Sequence, residues 1–262
     1  MTRKYQSITS KLAPVISIFV VVLIWFVFCE GEIVPAYMLP SPVAVGKAFI
    51  NDIPILMQHA AVTLQEAIYG LLLGIVLAFF IATLMDRFAF LYKAVYPLLV
   101  ISQTIPTIAI APLLVLWMGF SMAPKITLVV VTTFFPITVS LLDGYRSVDA
   151  DAVSLMRSMG AKRIQIFRYI KLPGAMSQFF SGLKVSASYA VVGAVISEWL
   201  GGFEGLGVYM TRVKKAYAFD KMFSVIIFIS VISLLLMLLI SVIRKLCMPW
   251  EKLKDGQTQQ NN

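Results

Sequence analysis

Few side chains in this sequence could do chemistry, and they lie far apart. Glu198 stands about 20 residues into an apolar run, or about 30 Å of helix. A carboxylate there has two readings: a gating or structural group beside a membrane path, or a solvated residue at the boundary. Glu66, one turn into another apolar run, can reach the interface, and Lys184 can snorkel to it. His59 is the single histidine, and a metal site needs companions for it. Cys29 and Cys247 are too few for a disulfide framework or a four-thiolate site. No H-E-x-x-H or G-x-S-x-G stands with plausible partners. The Gly46-Lys47 pair is followed by Ala48 and has no glycine at the spacing of a phosphate-cradling loop. What remains is a set of uncharged polar groups inside apolar runs: Gln103, Thr104, Thr132, Thr133, Ser186, Ser188 and Tyr189. They are the groups a solute path could use, although serine and threonine also satisfy their own helix backbone or join helices.

The elements that carry them belong in a bilayer. Of 262 residues, 60% are hydrophobic and 13% charged, with a mean hydropathy of +0.88. A soluble domain carries about 45–50% apolar and about 25% charged residues, so this chain cannot cover its own surface in water. Its net charge of +9 does not argue for nucleic acid, because the basic residues lie between apolar blocks, where they orient a membrane protein. Six blocks, at roughly 12–29, 62–84, 91–118, 125–142, 178–200 and 222–246, are long enough for about 30 Å of hydrocarbon. The expected fold is an all-α polytopic membrane protein of six transmembrane helices. The first block runs into Cys29-Glu30 without a small-x-small cleavage site and reads as a retained anchor.

Positive charge sets the orientation. With both termini inside, fifteen of the 22 Lys and Arg residues fall on the cytoplasmic side. The plan is a cytoplasmic segment 1–11, a membrane domain 12–246 with a cytoplasmic loop 143–177, and a cytoplasmic tail 247–262 whose end, Gln257 to Asn262, has a disordered composition. The exception to the charge rule is Arg212, Lys214, Lys215 and Lys221 in the last outer loop. They suit either acidic residues of an external partner or lipid headgroups. Pro97, Pro106 and Pro112 kink the third span, either for packing or beside a polar path. Gly182, Ser186, Ala190 and Ala194 recur every fourth residue in the fifth span, a small-residue face on which another helix can pack closely.

The loop from Asp143 to Gln178 is about 35 residues long, whereas helix connections in bundles take about 2–8. Asp149 and Asp151 suit a helix start. Val153, Met156, Gly160, Ile164 and Phe167 follow at three- and four-residue spacing. Gly160 is the expected left-handed stop of a first short helix, with a second reaching about Ile170. Leu172-Pro173-Gly174 is expected to break the chain before the fifth span. A short amphipathic helix on a stiff loop can enter a partner's groove or lie on the lipid surface.

The run Gly160-x9-Ile170-x-Leu172-Pro173 resembles the EAA loop of permease subunits in binding-protein-dependent ABC importers. The family's Glu-Ala-Ala falls here on Ser154-Leu155-Met156, so the docking role carries over without a specific glutamate contact. Ile105 through Leu113, Leu116 through Phe120, Phe134-Phe135-Pro136, Asp143 through Asp149, Ser181 through Lys184 and Gly205-Leu206-Gly207 resemble the nitrate/sulfonate/taurine branch. Met38 through Pro42 fits too, so the likeness covers roughly residues 36–245.

The resemblance implies a type I ABC importer permease in the cell inner membrane that pairs with a second copy. It implies two ATPase subunits holding ATP and magnesium, none of which this chain binds, and an external or periplasmic solute-binding protein. ATPase docking would fall to Asp149, Asp151, Val153, Met156, Arg157, Gly160, Ala161, Ile164, Leu172 and Pro173. The path would draw on the seven polar groups named above together with Pro106 and Glu198. Cargo in this branch is nitrate, sulfonates, taurine or a thiamine pyrimidine precursor, and the Ser197 to Gly202 run leans toward the last. The alternative is an ion-coupled secondary transporter, which repeated halves and midplane charges would favour; neither is visible in this sequence.

Overall fold

Ser41 and Pro42 begin the helix that organises the chain. The Ser41 Oγ accepts from the Ala44 N–H at 3.2 Å, and proline at a first helical position gives up a donor that would have no partner anyway. The computed structural model describes residues 2–31, 34–35 and 38–249, with side chains from Leu12 onward. The tail from Trp250, and the side chains of Arg3, Lys4 and Lys11 that entered the charge count, lie outside the described residues.

All regular structure among the described residues is helical: α1 (Thr2–Glu30), α2 (Pro42–Arg87), α3 (Ala89–Ser102), α4 (Thr107–Met118), α5 (Met122–Arg146), α6 (Ala150–Ser158), α7 (Arg163–Ile166), α8 (Leu172–Gly201), α9 (Leu206–Lys215) and α10 (Phe219–Cys247). A π-turn, Phe167–Lys171, joins α7 to α8. Five helical stretches are each long and apolar enough to cross a membrane, and α3 with α4 forms a sixth as a pair bent by 100°.

Three expectations change. The third span is two helices rather than one kinked helix. Pro106 lacks the N–H that would continue α3 and instead stands as the residue before α4, at φ −60° and ψ 121°. The second span is part of a 46-residue helix, because Asn51, Asp52, Pro54 and Gln58, polar or helix-breaking in isolation, are carried within α2. The stretch expected to be the last outer loop contains a helix, α9.

The chain forms two compact units. One comprises residues up to His59 together with Tyr209–Phe228. In it, the Trp25 ring lies 5.9 Å from Phe223 and its Nε1 donates to the Pro40 carbonyl at 3.1 Å. Phe49 meets Phe228 edge to face. The other comprises Ala60–Val208 and the chain from Ile229. Its core is the α5–α8 contact, built as the small-residue spacing predicts. A Cβ on Gly182 would fall 2.6 Å from the Ser140 Cβ, and one on Gly193 3.0 Å from the Thr132 Oγ1. Ser186, Ala190 and Ala194 are buried along the same seam. Ala111 and Leu114 of α4 close on Leu128, with Ile110 and Ile196 beside them.

Candidate functional site

The loop after α5 is built as a rigid projection. Asp149 precedes α6, and its carboxylate accepts the Asp151 N–H at 2.9 Å, satisfying one of the helix's free donors. Gly160 ends α6 at φ +80°, a backbone that glycine adopts without strain. The Lys162 N–H then donates to the Gln165 Oε1 at 2.7 Å and starts α7. The expected break at Leu172-Pro173-Gly174 does not occur. The Leu172 N–H reaches back to the Phe167 carbonyl, one residue further than in an α-helix, and this wider turn leads the chain into α8 with Pro173 in its first turn.

Its base is held from several sides. Ile166 is buried, and the Phe167 ring lies 5.4 Å from Tyr145. The Lys171 Nζ is 2.7 Å from both oxygens of Asp86. Gly144 lets α5 approach Ala175 so closely that a Cβ there would fall 2.7 Å from the Ala175 Cβ. The Gln178 Nε2 donates to the Ser147 Oγ at 3.3 Å.

On this base sits an apolar surface that the described residues leave exposed. Leu155 is 63% exposed, Met159 75% and Ile164 72%. Of the sequence-predicted docking residues, Asp149, Asp151, Arg157, Gly160, Ile164 and Pro173 are exposed, whereas Val153, Met156, Ala161 and Leu172 are half-buried. The apolar stripe read from the sequence is therefore rotated: Val153 and Met156 turn toward the protein, and Leu155 and Met159 stand outward. Those two were missed, although their four-residue spacing marks a second face of the same helix.

The path candidates divide. Gln103, Thr104 and Pro106 are exposed at the α3–α4 bend, and Tyr189 is exposed on α8. Thr132 and Ser188 are half-buried, with the Thr132 Oγ1 on the Val129 carbonyl at 2.9 Å and the Ser188 Oγ 2.9 Å from the Met237 Sδ. Thr133 and Ser186 are fully buried. The Thr133 hydroxyl donates to the Val129 carbonyl at 2.8 Å, and that of Ser186 to the Thr133 carbonyl at 3.1 Å. The first bond lies within α5, and the second ties α8 to α5.

Glu198 is neither solvated nor open to a path: it is 1% exposed. Its Oε1 accepts from the Thr63 hydroxyl at 2.7 Å and its Oε2 from the Gly207 N–H at 2.6 Å, while the Leu206 N–H donates to the Thr63 Oγ1 at 2.9 Å. A carboxylate at the first residues of α9 meets the positive end of that helix. Gly205, at φ +120°, passes so close that a Cβ would collide with the Glu198 carboxylate. Glu66 is not at an interface either: it is 1% exposed and bound to the Lys125 Nζ at 2.6 Å. The sequence had separated Glu198 from Gly205-Leu206-Gly207; the fold makes them one clamp.

In the other unit, Asp52 gathers three side chains that looked unrelated. Tyr209 donates to its Oδ2 at 2.6 Å, Lys221 reaches it at 3.0 Å, and the His59 ring stacks on Tyr209 at 5.4 Å. Burial first, and the hydrogen bond to Asp52 second, push the Tyr209 phenol above its ordinary value. Lys221 is thus neutralised within the chain, while Lys214 and Lys215 remain exposed on α9. Among the described residues no group of His, Cys, Asp and Glu could hold a metal ion.

The described residues form a helical body, long and apolar enough to cross a membrane, that carries the exposed side chains of Leu155, Met159 and Ile164. Comparison with known proteins gives the same picture. The family described as "binding-protein-dependent transport system inner membrane component" matches residues 70–250. The formylaminopyrimidine transport permease ThiX of Halalkalibacterium halodurans is 36% identical over 253 residues, covering 96% of this chain and 99% of that protein. The riboflavin transport permease RibX of Chloroflexus aurantiacus is 29% identical, covering 91% of each. Among solved structures, an amino acid ABC transporter matches with a TM-score of 0.60 at 16% identity, over 75% of this chain and 94% of that one. The methionine transporter MetNI matches with a TM-score of 0.58 at 19% identity, over 72% and 93%. The ion-coupled alternative is set aside by these matches, and this chain belongs to the binding-protein-dependent transport family, as a multi-span permease subunit of an ABC importer.

Proposed function

We propose that two copies of this chain form a translocation path between them and that each copy docks α6 on an ATPase subunit, where ATP and magnesium are bound. The observation that carries the reading is the apolar surface of Leu155, Met159 and Ile164, held out on a base fixed by Ile166, the Phe167–Tyr145 contact and the Gly144–Ala175 contact. Exposed apolar side chains on a rigid element are suited to a groove in a partner. The loop 143–177 is then cytoplasmic, as are both termini, in agreement with the excess of Lys and Arg on that side. The exposed polar groups at the α3–α4 bend and Tyr189 are the candidates for the path. Lys214 and Lys215 face outside, where a solute-binding protein delivers the cargo.

Relatedness to a formylaminopyrimidine permease at 36% identity favours a small polar pyrimidine as cargo, with other small nutrients less favoured. The test is uptake in proteoliposomes of the permease, its ATPase and its binding protein. Labelled formylaminopyrimidine should enter only when ATP is supplied with the binding protein. Uptake by the permease alone under an ion gradient would contradict the reading. Labelled taurine entering in its place would overturn the cargo and leave the rest.

A further inference from the structure

The tie between Lys171 and Asp86 does more than close the base of the loop. Lys171 is the last residue of the π-turn, where a helix is locally wider, and such turns recur at functional positions. Asp86 is the penultimate residue of α2. Both side chains are half-buried, and the ammonium meets both carboxylate oxygens at 2.7 Å. The Tyr145 hydroxyl lies 3.4 Å from the Thr83 Oγ1, one turn before Asp86, so α5 meets α2 at the same level. Twenty residues further along α2, or about 30 Å, Glu66 binds Lys125 and Thr63 binds Glu198. The stretch of α2 from Thr63 to Asp86 is therefore tied at one end to the docking loop and at the other to the Glu198 clamp, with a bilayer's thickness between them.

We propose that Lys171 and Asp86 are positioning residues that make the docking loop and α2 move as one, so that displacement at the ATPase reaches the opposite end of the membrane domain. The proposal rests on the reading that α6 docks on an ATPase. The loop is continuous with α5 and α8, and α5 in turn meets α2 at Tyr145 and Lys125. The ion pair gives the loop its own direct tie to α2, the helix that carries Thr63 and Glu66. A tie that holds in both conformations transmits movement; coupling needs such a contiguous mechanical element with two positions.

The test uses the full complex of permease, ATPase and binding protein in proteoliposomes and reads how strongly the loaded binding protein stimulates ATP hydrolysis. Lys171→Gln and Asp86→Asn should each reduce the stimulation at least about fivefold, with the unstimulated rate within about twofold of wild type and with undiminished co-purification of the ATPase. Lys171→Arg should keep the stimulation, and the exchange of charges, Lys171→Asp with Asp86→Lys, should restore most of what either reversal alone removes. Single variants that retain full stimulation would overturn the proposal. So would variants that lose ATPase co-purification, since the pair would then serve docking or folding and not transmission. A wild-type permease that never co-purifies with an ATPase would instead overturn the docking reading on which the proposal stands.

Discussion

Glu198, with both oxygens engaged and no contact with water, acts as a fastener of the α8–α9 turn. Replacing it with alanine removes the acceptor of the Thr63 hydroxyl and of the Gly207 N–H, at about 1–3 kcal/mol for each buried hydrogen bond lost. Gly205→Ala attacks the same clamp through backbone strain and collision. Both substitutions should lower the thermal unfolding temperature of the detergent-purified chain, and an unchanged temperature for both would remove the clamp from the account. The Glu66–Lys125 pair makes a sharper test. Lys125→Met alone leaves a buried carboxylate uncompensated, at about 3–5 kcal/mol, whereas Lys125→Met with Glu66→Leu should recover most of the loss. Tyr209 carries a pH dependence. Its phenol is raised in the folded chain, so the stabilisation is complete below the ordinary phenol value near 10 and is lost as pH rises through the folded value. Melting temperature should therefore fall in strong alkali, and Tyr209→Phe should flatten that fall; parallel curves for the two proteins would refute the assignment.

At the scale of elements, α6 depends on its two ends. Asp149 supplies an acceptor at the start, and Gly160 turns the chain at φ +80°. Nothing crowds Gly160, so the cost of a side chain is conformational, about 1–2 kcal/mol for an L-residue with a Cβ. Gly160→Val should cut ATPase co-purification severalfold, and Gly160→Asn should be tolerated better because asparagine enters this region more readily. Equal losses for the two would point to a contact at Gly160 in place of a turn. The sequence made these ends visible because caps and left-handed stops are local. It did not reveal the continuity of α7 through the π-turn into α8, because Pro173 signals a break unless the hydrogen bonds preceding it widen. Nor did it reveal which face of α6 is free, since Val153 and Leu155 are equally apolar and only the body beneath distinguishes them.

For the whole molecule, hydropathy made the spans legible, and the order of short motifs from Ile105 to Gly207 made the family legible. Of the two readings of Glu198, the solvated one fails because its partner Thr63 lies 135 residues earlier, and no local spacing announces such a pairing. The Lys171–Asp86 tie was hidden for the same reason, across 85 residues. Span three was misjudged because three prolines look alike in sequence, whereas Pro97 and Pro112 are absorbed within helices and Pro106 separates two. The central claim is that α6 seats on a nucleotide-hydrolysing partner. A single cysteine at Leu155, in a chain whose Cys29 and Cys247 have been replaced, tests it most directly in native membranes. The account predicts a short-range crosslink from position 155 to the ATPase subunit and none from a cysteine at Val20 on α1. Labelling of position 155 by an impermeant reagent from outside the cell, with no crosslink to an ATPase, would contradict it.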